Sequence, residues 1–220
     1  MLSRRSLLGT LSLAARGQAS WTPLFDGRTT TGWREVTGAP FPACWAIDDG
    51  CLRAVPSRQG FQDLRTDAEF EHFECEFAWK LAPGGNSGVK YLVQSTDRWT
   101  NAAGLQARGR GLEYQLLDDA SGAETEPAKQ CGALYGLLAP QPPPRLALDV
   151  FHHARLVVSA TAIEHWLNGE RIVHVDPRAG AVQVLLRQHR KNGAPLTRTP
   201  LVLQHHGTPA WFRDLRIRPL

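Results

Sequence analysis

The segment GLEYQLLDD (111–119) sets a carboxylate, Glu113, and an amide, Gln115, on one face of an apolar run whose other face is Leu112, Tyr114 and Leu116. That alternation is the period of a strand buried on one side. Its polar side then forms the floor of a cleft in which a carboxylate can take or give a proton. Two further segments repeat the arrangement. In NSGVKYLVQ, Lys90 faces away from Val89 and Tyr91; in LVLQHHG, Gln204 and His206 share parity with Val202. A carboxylate, an amine, an imidazole and two amides are the groups that acid–base chemistry on a polar ligand requires. Asn86 in an Asn-Ser-Gly turn, Asp63 with Thr66, Asp118 at the end of its strand and Trp99 in a polar stretch extend the set as ligand-binding candidates. Each has an ordinary alternative: Asp118 can cap a loop or hold Lys90, Trp99 can pack on its own loop, and a lone His is more often structural than reactive.

Strands must position these groups, and the chain supplies them. HFECEFAWK puts Phe73, Cys75, Phe77 and Trp79 on one face and Glu74, Glu76 and Lys80 on the other. Asp49-Gly50 and Asn168-Gly169, each between apolar arms, are hairpin signals, because type I′ turns need positive φ at both central residues. In the second hairpin His165 and Trp166 alternate faces, with Trp166 the expected core residue. Residues 88–94, 112–117, 155–159, 182–186, 201–205 and 211–218 read as further strands, and no dozen-residue stretch keeps a helical apolar period. Residues 95–110 and 119–145 read as long loops on one rim of the binding face, the Pro142-Pro143-Pro144 run being a rim element or a stiff spacer. Many short strands without long helices imply an all-β fold, a two-sheet antiparallel β-sandwich.

At 220 residues, with 20 Gly and 15 Pro, the chain fits one turn-rich domain over residues 20–220. Residues 1–19, MLSRRSLLGTLSLAARGQA, resemble a twin-arginine export signal, so the protein is expected to be periplasmic or secreted. Loss of that segment removes Arg4, Arg5 and Arg16 and no acid, lowering the formal charge from +4 to +1. With its cations scattered, the chain is not expected to bind nucleic acid, and no apolar run is long enough to span a membrane. Cys44, Cys51, Cys75 and Cys131 allow up to two disulfides in three connectivities, or free thiols; Cys75, among aromatic residues, reads as a buried thiol. His152, His153, His189, His205 and His206 lack a recognised metal spacing, and no GxGxxG or Walker loop is present, so neither a metal nor a nucleotide cofactor is expected.

Taken in order, LFDGRTTTGW (24–33), WAIDDGCL (45–52), DLRTDAEFEHFECEFAWK (63–80), GGNSGVKYLVQ (84–94), GLEYQLLDD (111–119), CGALYGLL (131–138), HARLVV (153–158), IEHWLNGERIV (163–173) and LVLQHHGTPAWFRDLRIRPL (201–220) resemble the 3-keto-disaccharide hydrolase family. The resemblance implies a concanavalin- or laminin-G-like jelly roll with neighbouring first and last strands. It also implies cleavage of glycosides already oxidised at C3, with a separate sugar 3-dehydrogenase acting upstream. A C3 ketone acidifies the C2 proton, so elimination needs a base at C2, a donor for the C3 oxygen and an acid for the leaving group, and adding water back completes a net hydrolysis. Glu113 is the expected base, Lys90 the ketone-polarising cation, and His206 the acid or a second base. The alternative is a non-catalytic carbohydrate-binding sandwich. Two departures stand out: Asp149-Val-Phe-His152 replaces the family's Gly-Glu-Trp-Asn, and His205 replaces an acid, which alters the site if that acid binds a metal or sugar.

Overall fold

The computed structural model describes residues 19–190 and 192–220; residues 1–18 of the expected export segment lie outside the described residues. Two sheets face each other. The eight-stranded sheet runs β12 (Glu170–Val175), β11 (Ile163–Leu167), β10 (His152–Val158), β7 (Phe73–Leu81), β14 (Ala210–Pro219), β4 (Cys51–Ala54) and β3 (Trp45–Asp48), with β1 (Thr22–Pro23) also paired to β14. The six-stranded sheet runs β2 (Trp33–Glu35), β6 (Leu64–Thr66), β13 (Val202–Leu203), β8 (Asn86–Asn101), β9 (Gly104–Leu117) and β5 (Gly60–Gln62). Pairing is antiparallel except between β5 and β9, which are parallel, a local exception to the antiparallel expectation. Thr22 pairs with Ile217, so the first and last strands are neighbours.

The alternating patterns explain the core. Phe73, Cys75, Phe77 and Trp79 of β7 are buried against Val89 and Tyr91 of β8 and Leu112, Tyr114 and Leu116 of β9. Each such side chain contributes about 1.5–3 kcal/mol by leaving water. His165 joins them: its Nε2 lies 2.8 Å from Tyr91 Oη, its Nδ1 3.0 Å from Gly132 O, and its ring stacks on Tyr114. Full burial drives its pKa down to about 4, so it is a neutral core residue. This reverses the expectation for Trp166, which lies on the outer face beneath the Arg155 guanidinium, 4.0 Å from the ring centroid. Ile163 and Leu167 fix the buried parity of β11, and position 165 shares it. All four cysteines are buried free thiols, so neither disulfide forms.

Two element assignments change. Residues 182–186 are part of a helix, α1 (Gly180–Gln188), rather than a strand. Val182 and Leu186, four residues apart, are buried while Val184 is 45% exposed, a helical spacing too short to stand out in the sequence. Residues 95–110 are the outer arms of a long β8–β9 hairpin rather than a loop, in register from Ser95↔Arg110 to Asn101↔Gly104. The β8 arm is mostly solvated, and the β9 arm buries Gln106, Ala107 and Gly109, polar or small residues, so the hydrophobic alternation that marks a strand is missing there. The hairpin has a step between Tyr91 and Ser95, with Leu92 at φ 48°. Gly111 sits opposite; a Cβ there would approach Tyr91 O to 2.7 Å.

Candidate active site

The face of the six-stranded sheet turned away from the core carries a cleft of about 490 Å³, within the roughly 300–1,000 Å³ usual for small-molecule sites. β8 contributes Asn86, Lys90 and Trp99; β9 contributes Arg108, Arg110, Glu113 and Gln115; the segment after β13 contributes Gln204 and His206. Tyr135, held by its N–H on Glu113 O at 3.0 Å, and Leu185 and His189 of the α1 region complete the wall. Strand register accounts for the convergence: Lys90 pairs directly with Glu113 and with Val202. Thus Glu113, Lys90, His206, Asn86, Gln115, Gln204 and Trp99 line one cleft.

Glu113 is the focus. Its side chain is 11% exposed, and Lys90 Nζ lies 3.9 Å from Oε2. Burial lifts its pKa from 4.5 to about 7; Lys90 and Arg108 oppose the rise, and the negative Asp63 adds to it. Oriented to satisfy its neighbours, the Gln115 amide nitrogen donates to Ser87 O and Glu113 Oε1, both at 3.2 Å. The carboxyl lies over Gly88, where an added Cβ would stand 2.2 Å from Oε1. The residue therefore has a defined position and a pKa suited to proton transfer near neutrality. His206 is held below its ordinary value, first by partial burial and then by the Arg108 charge. It is therefore mainly neutral at pH 7, which favours the second-base role over the acid role.

Three candidates lie elsewhere. Asp63 is fully buried, and protein donors occupy its oxygens: Lys90 Nζ and Gly109 N on Oδ2, Arg108 Nη1 and His205 N on Oδ1, at 3.0–3.2 Å. It therefore does not meet a sugar. Asp118 accepts from Gly84 N at 2.8 Å and Ala120 N at 3.2 Å, so its role is the loop cap. Thr66 donates to Ala68 O within the fold, away from the cleft. The altered acid position is also accounted for: His205 is buried between Trp45 and Phe61, with Nε2 near Cys44 O and Val55 O, and does not line the cleft. The sequence reading missed Arg108, Arg110, Tyr135, Leu185 and His189. Arg108 and Arg110 fell in the supposed loop, although arginines spaced by two opposite Asp97 carry a cross-strand signal, realised as an Arg110–Asp97 ion pair of 2.7 Å. A wider hollow of about 730 Å³ touches Glu76, Arg155, Trp166 and Arg216 of the other sheet, but its charges are engaged in the Arg155–Glu74 and Arg216–Glu76 ion pairs. Among the described residues, no group of three or more His, Cys, Asp or Glu is arranged to hold a metal ion.

The two-sheet sandwich with a polar cleft on one sheet is a jelly roll of galectin-like type. A Bacillus subtilis protein of galectin-like fold superposes with TM-score 0.54 at 13% identity, over 92% of this chain and 96% of its own. Residues 20–218 match the 3-keto-alpha-glucoside-1,2-lyase-like domain, and the chain belongs to that family. A 3-keto-disaccharide hydrolase of Bacteroides thetaiotaomicron is 27% identical over 224 aligned positions, covering 90% of this chain and 77% of that protein. A crystal structure of a glycosyl hydrolase candidate from Parabacteroides distasonis ATCC 8503 superposes with TM-score 0.75 at 22% identity, over 91% of this chain and 94% of its own.

Proposed function

We propose that this protein cleaves glycosides whose sugar carries a ketone at C3, by removing the C2 proton, expelling the C1 substituent and adding water. Family membership and the Bacteroides relative support a glycoside-cleaving enzyme. The observation that carries the finer reading is a buried carboxyl with a pKa of about 7, 3.9 Å from a lysine ammonium, in a sugar-sized cleft. Glu113 takes the C2 proton, and the electron pair delocalises onto the C3 oxygen. Lys90 and Arg108 stabilise that developing negative charge. The C1–O bond then breaks, leaving a C1–C2 double bond conjugated with the ketone, and Glu113 returns its proton to the departing oxygen. His206, neutral at pH 7, takes a proton from the water that adds at C1; the enolate so formed regains a proton at C2 from the His206 imidazolium, which restores the ketone and the neutral imidazole. Asn86, Gln115 and Gln204 meet hydroxyls, and Trp99 stacks on the ligand at the rim.

The test is a panel of 3-keto-glucosides with their unoxidised parents. Oxidised members are expected to release reducing product, and a C2-deuterated substrate to react more slowly or exchange its label with water. A paired-carboxylate glycosidase would instead act on the parent glycoside and retain the label. Full activity on parents with label retained overturns the reading; sugar binding without turnover points to a binding module. Because Glu113 must be ionised, kcat/KM is expected to rise with pH through about 7. Trp99→Ala is expected to raise KM with kcat little changed, since the indole is 39% exposed at the rim; an equal fall in kcat would place the ring closer to the reacting atoms.

A further inference from the structure

We infer that Asp63 is a positioning residue for this reaction: it fixes Lys90 and Arg108 as a two-cation clamp beside Glu113 from beneath the cleft floor. The inference rests on the proposed reaction. Each Asp63 oxygen accepts one backbone N–H and one cationic side chain: Gly109 N and Lys90 Nζ on Oδ2, both at 3.1 Å, His205 N at 3.0 Å and Arg108 Nη1 at 3.2 Å on Oδ1. The two backbone bonds tie the carboxylate to β9 and to the segment after β13, so the cations cannot drift with it. Lys90 and Arg108 side chains are 6% and 14% exposed, so neither is a loosely solvated surface group. Without its counterion the Lys90 ammonium, already 3.9 Å from Glu113 Oε2, would close on that carboxylate as a plain salt bridge and tie up the base. Asp63 thus keeps base and cation apart while keeping both in the cleft.

The charged groups acting on Glu113 are Lys90 from β8, Arg108 from its own strand and Asp63 from the β5–β6 link; His206, Arg110, His189 and Tyr135 share the cleft. Removing the Asp63 charge should lower the Glu113 titration midpoint below about 7, and removing Arg108 should raise it. The experiment follows the Glu113 carboxyl by carbon NMR against pH in wild type, Asp63→Asn and Arg108→Met, alongside kcat and KM on a 3-keto-glucoside. Opposite midpoint shifts are expected, with Asp63→Asn losing kcat by about 10²-fold, the cost of an ångström-scale misplacement. Unchanged midpoints, or shifts in the same direction, would make Asp63 a fold-supporting carboxylate and overturn the inference. If Asp63→Asn fails to fold, Arg108→Met still tests the clamp, an unmoved or lowered midpoint counting against it. The NMR readout needs no substrate, so absence of turnover by wild type would sink the proposed reaction and leave the clamp to stand or fall on the titration.

Discussion

Glu113→Gln is expected to keep the fold and lose turnover by about 10²–10⁴-fold, the usual contribution of a general base, because an amide of the same shape cannot accept the C2 proton. Label exchange at C2 should disappear with turnover. The same substitution should stabilise the protein at alkaline pH. In wild type the folded-state pKa of Glu113 is raised from 4.5 to about 7, so its contribution to stability is fully present below about 4.5 and is lost as pH rises through about 7. The loss amounts to about 3 kcal/mol, at roughly 1.4 kcal/mol per pKa unit. Glutamine does not ionise and does not incur it. Denaturant unfolding at pH 5 and pH 8 is therefore expected to show a variant increasingly more stable than wild type as pH rises. Equal stability at both pH values would contradict the raised pKa, and retained turnover would remove Glu113 from the reaction.

Gly88→Ala separates activity from stability in a different way. A methyl group at position 88 would lie 2.2 Å from Glu113 Oε1 and 2.9 Å from both Cδ and Cγ. The obstructing atoms belong to the end of a flexible side chain, so the strand can remain in place while the carboxylate swings aside. A displacement of that size should cost about 10²-fold in kcat while the thermal midpoint moves little. Circular dichroism melting and single-turnover kinetics on one preparation would read both quantities. A large loss of stability with proportional loss of activity would mean that the strand, and not the carboxylate, yields. Normal activity would mean that Glu113 can work from another rotamer.

The sandwich and the central part of its cleft were legible because β7 and β9 are buried on one side, and burial writes itself into sequence as alternation. Lys90, Glu113, Gln115, Gln204 and His206 could be placed by parity alone. Arg108 and Arg110 could not, since what their arm buries is Gln106, Ala107 and Gly109, which carry no apolar period, and the facing arm is solvated. Leu185 and His189 were hidden by a nine-residue helix whose buried stripe is essentially Val182 and Leu186. Asp63 was legible as important but not as buried: a carboxylate satisfied by two backbone amides and two distant cations looks, in one dimension, like any polar residue before a strand. Trp166 lies outside, against the expectation from its size, because the parity set by the buried Ile163 and Leu167 puts His165 inward.

The step between Tyr91 and Ser95 has a consequence for how this cleft can vary. Arg108 and Arg110 occupy even positions on β9 and Glu113 and Gln115 odd ones, yet all four line one cleft. An uninterrupted strand would send the two sets to opposite faces. The irregularity works like a change of reading frame, joining an inner half that bears the base to an outer half that bears the rim cations. Adding or removing one residue between Arg110 and Glu113 would shift that frame and turn one set away from the ligand, with every side chain still present. Across this short span, chain length is as much a determinant of chemistry as residue identity.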